Sequence, residues 1–222
     1  MKTILMAALA VVFMGGPALA DHHEEMNHEM MEHEMPAMAS GESMAVVGQP
    51  APEFMLNDIN GDHVMLSALK GKTVVLEWTN SQCPYVRKHY DSHNMQNLQK
   101  EATDDGVVWI SINSGAEGKE GFVTPEEEKT LLEKEGAHPS YVLLDTKGTI
   151  GKLYGAKTTP HMFVINGEGT LVYAGAIDSD KSFKPEAIET STNYVREALK
   201  SLKAGTPIEV SETAPYGCGV KY

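Results

Sequence analysis

The segment KTVVLEWTNSQCPYVRKHY, residues 72–90, constrains the fold more than any other part of the chain. Its first part, 72–78, is an apolar, β-branched run without alternation, the composition of a strand covered on both faces. A short polar turn follows, and Cys83 then stands directly before Pro84. Proline suits the first position of a helix, where its missing N–H has no partner to lose, so Cys83 falls at or beside an N-cap. The segment predicts a thiol held at a strand-to-helix turn, with the helix running to about Lys100.

The flanking sequence extends this unit in both directions. Two short runs around Asn60-Gly61 predict a β-hairpin ahead of it. GVVWISI (106–112) is a second buried strand, and Thr124-Pro125-Glu126-Glu127 opens a helix with a capping box that Gly136 stops. YVLLD (141–145) and HMFVI (161–165) are strands, and TLVYAG (170–175) after the turn NGEG completes a second hairpin. Tyr194, Val195, Ala198, Leu199 and Leu202 share one face of a closing helix. Strand, helix, strand, helix, hairpin and helix describe an α/β sandwich over 45–222, with a single parallel crossover.

The N-terminus has a different character. Residues 1–20 carry an early lysine, an apolar stretch and Ala18-Leu19-Ala20, the pattern of a signal peptide cut after Ala20. An exported, periplasmic protein is expected. Residues 21–44 hold no branched aliphatic and no aromatic side chain, so a flexible tail follows the cut. The formal net charge is −13, and loss of Lys2 makes it one unit more negative. Nucleic acid and anionic lipid, which need clustered positive charge, are excluded as partners.

The tail invites a metal hypothesis. Its His22, His23, His28 and His33, with Met26, Met30, Met31, Met35 and Met38, offer imidazole and thioether ligands suited to copper. A terminus beginning Asp21-His22-His23 would present an amine, two amides and an imidazole to Cu(II) or Ni(II) in a square plane. A copper-handling protein is therefore the alternative to a thiol enzyme, and an acidic spacer is the plainer account of the same residues.

Four stretches together resemble the redoxins, the peroxiredoxin-like branch of the thioredoxin superfamily that includes alkyl hydroperoxide reductase and thiol-specific antioxidant proteins. They are VGQPAPEFMLNDINGDHVMLSALKGKTVVLEW, CPYV, LLDTKGTIGKLYGAKTTPHMFVINGEGTLVYAGAID and the tail YGCGVKY. The resemblance implies a thioredoxin-like three-layer sandwich with a central mixed sheet and an N-terminal β-hairpin extension. It also implies a cis bond at Thr159-Pro160, with Pro160 beside the sulfur and the Thr159 backbone aligning an incoming disulfide or peroxide. Two departures stand out. Val86 occupies the place of the second thiol of a Cys-x-x-Cys pair, and Leu76 and Asn80 stand where peroxiredoxins keep proline and threonine.

The expected site centres on Cys83. Helix N-terminal amides favour thiolate over thiol and can move a cysteine from about 8.5 into the range of roughly 3.5–7.5. Arg87, one turn along, should add positive charge, while Asn80 or Thr79 could donate to an oxygen developing on the substrate. Pro84 stiffens the turn. Cys218, between Gly217 and Gly219, has a flexible flank suited to a resolving thiol that must move. A thiol oxidoreductase acting on a disulfide partner or a small peroxide, with no cofactor required, is the expectation. Two cysteines in an exported chain also suit one inert bridge, which a loop-entropy model values at about 4–5 kcal/mol.

Overall fold

A computed structural model describes residues 44–222. The expected leader and nearly all of the His/Met-rich segment, with every proposed metal ligand in it, lie outside the described residues. Among the described residues, no helix is long and apolar enough to cross a membrane.

The hairpin β1 (Met55–Asn57) and β2 (His63–Met65) precedes β3 (Val74–Trp78). Then come α1 (Pro84–Asp91), α2 (Asn94–Asp104), β4 (Val108–Asn113), α3 (Pro125–Glu135), β5 (Tyr141–Leu144) and α4 (Thr149–Tyr154). The two-residue strand β6 (Thr158–Thr159) leads into β7 (His161–Ile165) and β8 (Leu171–Gly175), and α5 (Tyr194–Ala204) precedes β9 (Cys218–Gly219). The central sheet has the order β5-β4-β3-β7-β8. The pairs β3/β4 and β4/β5 are parallel, whereas β3/β7 and β7/β8 are antiparallel. The chain thus makes two parallel crossovers, not the single one expected, because YVLLD pairs on the outer side of β4.

The three layers follow from the pleat. Val74, Leu76 and Trp78 point to one face, where Ile150 and Tyr154 of α4 and Phe54 meet them. Val75 points to the other face, with Val86, Tyr90, Met95 and Leu98 of α1 and α2 and Val195 and Ala198 of α5. Both faces are covered, so β3 and β4 are buried along their whole length.

The helix expected to continue from Pro84 to Lys100 is broken. His93 has φ +58, and the Ser92 hydroxyl donates back to the carbonyls of Lys88 (2.7 Å) and His89 (3.2 Å). These local bonds compete with helix continuation in the polar stretch DSHN. α4 was not anticipated. Its N-terminal amides at Thr149 and Gly151 donate to the Asp145 carboxylate at 2.9 and 2.8 Å, a cap supplied from just beyond β5.

Candidate active site

β3 delivers the chain to the turn that carries Cys83. The Thr79 amide continues the ladder to the Ile112 carbonyl at 2.9 Å. Asn80 then builds the turn: its carbonyl accepts from the Cys83 amide at 3.0 Å and its side-chain oxygen accepts from the Gln82 amide at 2.9 Å. Cys83 is the N-cap of α1 with φ −80 and ψ 124, and Pro84 occupies the first helical turn.

The far side of the site comes from the β6–β9 pair. Thr159 is opposite Cys218, and the Thr159–Pro160 bond is cis. The Cys83 thiol donates to the Thr159 carbonyl at 3.1 Å. Cys218 therefore lies beside the Cys83 sulfur across the Thr159 backbone, each thiol shifts the other, and both cysteines are free. Cys83 is only 1% exposed, since the tail strand lies over it, while Cys218 is half-buried.

This geometry separates the two thiols electrostatically. Burial pushes Cys83 toward the thiol, but the Cys218 thiol, the Thr159 side chain and the amides of Val86 and Cys218 favour the anion and bring it net below the ordinary thiol value. The Thr159 hydroxyl is buried without a hydrogen-bond partner, so nothing competes with the sulfur for its proton. Cys218 moves the other way, up to about 12, through burial and the neighbouring Cys83 anion, with Glu120 adding to the effect. Of the two thiols, Cys83 is shifted toward the anion and Cys218 toward the protonated form.

Arg87 is not among the partners of the sulfur. Its guanidinium is bound by Asp91 and Glu135. Helix periodicity places Arg87 one turn on but does not say which side of α1 meets α3. The Asn80 side-chain oxygen serves its own turn and the side chain packs against Gly121, while the donation expected of Asn80 or Thr79 is toward a substrate oxygen rather than the sulfur. His161 follows Pro160 but is neutral: burial and Lys157 push it down to about 4, and its Nδ1 accepts from the Lys157 amide at 3.3 Å. Gly217 is not a flexible spacer. It sits at φ +134 against the Thr159 carbonyl, which a Cβ would strike.

Behind α1 lies a buried carboxylate. Glu77 on β3 is fully buried, and Trp109, Tyr90, Gln99 and Ser111 all donate to its carboxylate at 2.8–3.0 Å. Burial raises its pKa even so. A glutamate inside an otherwise apolar strand was the available signal. Among the described residues, no group of three or more His, Cys, Asp and Glu side chains is placed to hold a metal ion.

Comparison with known proteins follows the same lines. The AhpC/TSA family pattern matches residues 47–174. A thiol-disulfide oxidoreductase of Bacillus subtilis, ResA, is 31% identical over 136 residues, spanning 61% of this chain and 70% of its own. A crystal structure of an uncharacterized conserved protein from Geobacillus kaustophilus superposes with TM-score 0.68 at 26% identity, covering 81% of this chain and 94% of that one. A putative thiol:disulfide interchange protein from Chlorobium tepidum has TM-score 0.52 at 24% identity, covering 72% and 97%, and is similar in fold.

Proposed function

Because the chain belongs to the AhpC/TSA family, we propose that it is a thiol–disulfide oxidoreductase in which Cys83 attacks and Cys218 resolves. The carrying observation is the juxtaposition of Cys83 and Cys218 across the Thr159 backbone, one thiol pushed down and the other up. The similarity to a named thiol-disulfide oxidoreductase supports exchange over peroxide reduction. So does the presence of Leu76 and Asn80 in place of peroxiredoxin residues. The leader-like residues 1–20 support an exported enzyme, in a compartment where partner disulfides persist.

The steps follow from the ionisation states. The Cys83 thiolate attacks one sulfur of a substrate disulfide; that S–S bond breaks, and one substrate sulfur leaves as a thiolate and takes up a proton. A mixed disulfide on Cys83 carries no charge, so the anion that helped hold the Cys218 proton is gone. Cys218 can then ionise and attack the Cys83 sulfur, releasing the second substrate sulfur, which is protonated in turn. The substrate gains two electrons and two protons, and the protein ends as a Cys83–Cys218 disulfide. A dithiol reductant reverses the last state and restores the enzyme. Run backwards, the same steps oxidise a dithiol.

The test is single-turnover reaction of the reduced protein with glutathione disulfide, followed by peptide mapping. The expected product is a Cys83–Cys218 bridge. Cys83→Ser should abolish reaction, and Cys218→Ser should stop at a mixed disulfide on Cys83. A wild-type rate no faster than that of free cysteine, or a mixed disulfide that Cys218 never resolves, would overturn the proposal.

A further inference from the structure

The C-terminal segment is seated by a buried charge cluster that thiol chemistry alone does not require. Lys88, on the same helix as Cys83, is 1% exposed, yet its ammonium lies deep in the fold. It donates to Asp178 Oδ2 at 2.9 Å, to the Asp180 carbonyl at 2.8 Å and to the Tyr216 hydroxyl at 3.4 Å. The Tyr216 hydroxyl in turn donates to the second oxygen of Asp178. His89 completes the group. Its Nδ1 pairs with the Asn94 side chain at 2.8 Å, and as amide nitrogen Asn94 must donate there, which leaves the proton on Nε2, 3.4 Å from the Tyr216 hydroxyl. Burial and Lys88 hold His89 neutral.

Tyr216 is two residues before Cys218, and its ring meets that of Tyr85 edge-on at 5.9 Å. Tyr85 and Lys88 both belong to α1, the helix that Cys83 caps. The tail strand is thus held twice, by the pairing of Cys218 with Thr159 and by a tyrosine anchored on the helix that Cys83 caps. Past Cys218 the Val220 amide donates to the Lys157 carbonyl at 3.1 Å and the Tyr222 hydroxyl to the Ala156 carbonyl at 2.7 Å. An apolar side chain could bury area at the Tyr216 position, but it would not select one register. A hydroxyl demanded by an ion pair does, because slipping the strand by one residue would turn the Cys218 side chain to the opposite face.

We propose that Tyr216, seated on Lys88 and Asp178, is the positioning residue that holds the resolving thiol Cys218 at Cys83. This rests on the exchange chemistry assigned above to that pair. The test measures the equilibrium of the Cys83–Cys218 disulfide against glutathione in the full chain, which yields the effective concentration of Cys218 at Cys83. A thiol on a flexible tether has an effective concentration of about millimolar. The wild type should exceed that by at least a hundredfold, and Tyr216→Phe, which keeps the ring, should lower it at least tenfold without slowing the first attack on Cys83.

A wild-type value near millimolar would overturn the proposal whether or not the variant folds. So would a folded Tyr216→Phe protein within twofold of wild type, the result expected if the cluster were only structural. Failure of the wild type to form any Cys83–Cys218 bridge would instead remove the exchange chemistry itself, and the positioning role with it.

Discussion

The Cys83 thiol donates to the Thr159 main-chain carbonyl at 3.1 Å, joining residues 76 positions apart, and the Thr159 hydroxyl is buried with no hydrogen-bond partner. In the thiol form the carbonyl is the partner; in the thiolate form the hydroxyl is the one with a proton to give. Replacing Thr159 by valine keeps the shape and removes that proton. The pH midpoint of Cys83 alkylation by iodoacetamide should rise in Thr159→Val, and an unchanged midpoint would remove the hydroxyl from the site's electrostatics.

Arg87→Gln should leave the same midpoint where it is, because its guanidinium serves Asp91 and Glu135. The cost in stability should be about 1 kcal/mol or less, as for a partly exposed ion pair. Alkylation kinetics and urea denaturation read the two effects separately, and a raised midpoint would return Arg87 to the role its place in the sequence suggests.

Gly217→Ala should lift the tail strand from Cys83. A Cβ there meets the Thr159 carbonyl, and φ +134 is unfavourable for any side chain. Cys83, 1% exposed in the native arrangement, should be alkylated at least tenfold faster, while bridge formation with Cys218 slows. Equal alkylation rates in a folded variant would show that this contact does not shield the sulfur.

Stability should fall as pH rises from about 4.5 to about 7. Burial, with Glu135 and Glu77 nearby, raises Glu128 from 4.5 to about 7. Over that interval the folded state binds a proton that the unfolded state has lost, so folding is favoured at the acidic end and weakened toward neutrality, by an amount on the order of 3 kcal/mol. Glu128→Gln should flatten this part of the profile in urea titrations at several pH values. A slope that survives the substitution belongs to another group.

Glu77→Leu should destabilise the fold by about 3 kcal/mol or more, because four buried donors lose their acceptor together. Chemical denaturation measures it. A loss below about 1 kcal/mol would mean that the donors find new partners.

Local composition determined much of this protein. The run before Cys83 must be a strand because only a position covered on both faces suits that many branched apolar side chains. Pro84 and the capping box at Thr124 start helices through bonds within one turn, and the Asn60-Gly61 and NGEG turns close hairpins at short range. These features need only neighbours within a few residues, so periodicity and turn chemistry display them. The presence of a thiol at a helix N-terminus was legible for the same reason.

Only the tertiary structure decided which groups face that thiol. Arg87 lies one turn from Cys83 yet turns to α3, while Thr159 and Cys218, remote in sequence, are brought to the sulfur by the pairing of β6 with β9. Gly217, just before Cys218, reads as freedom in the chain and acts as close packing in the fold. Lys88 looks like a solvated charge until packing buries it against partners up to 128 residues away. Electrostatics at a buried sulfur depends on distances of a few ångströms between segments that share no local bonds, and those distances exist only once the layers have packed.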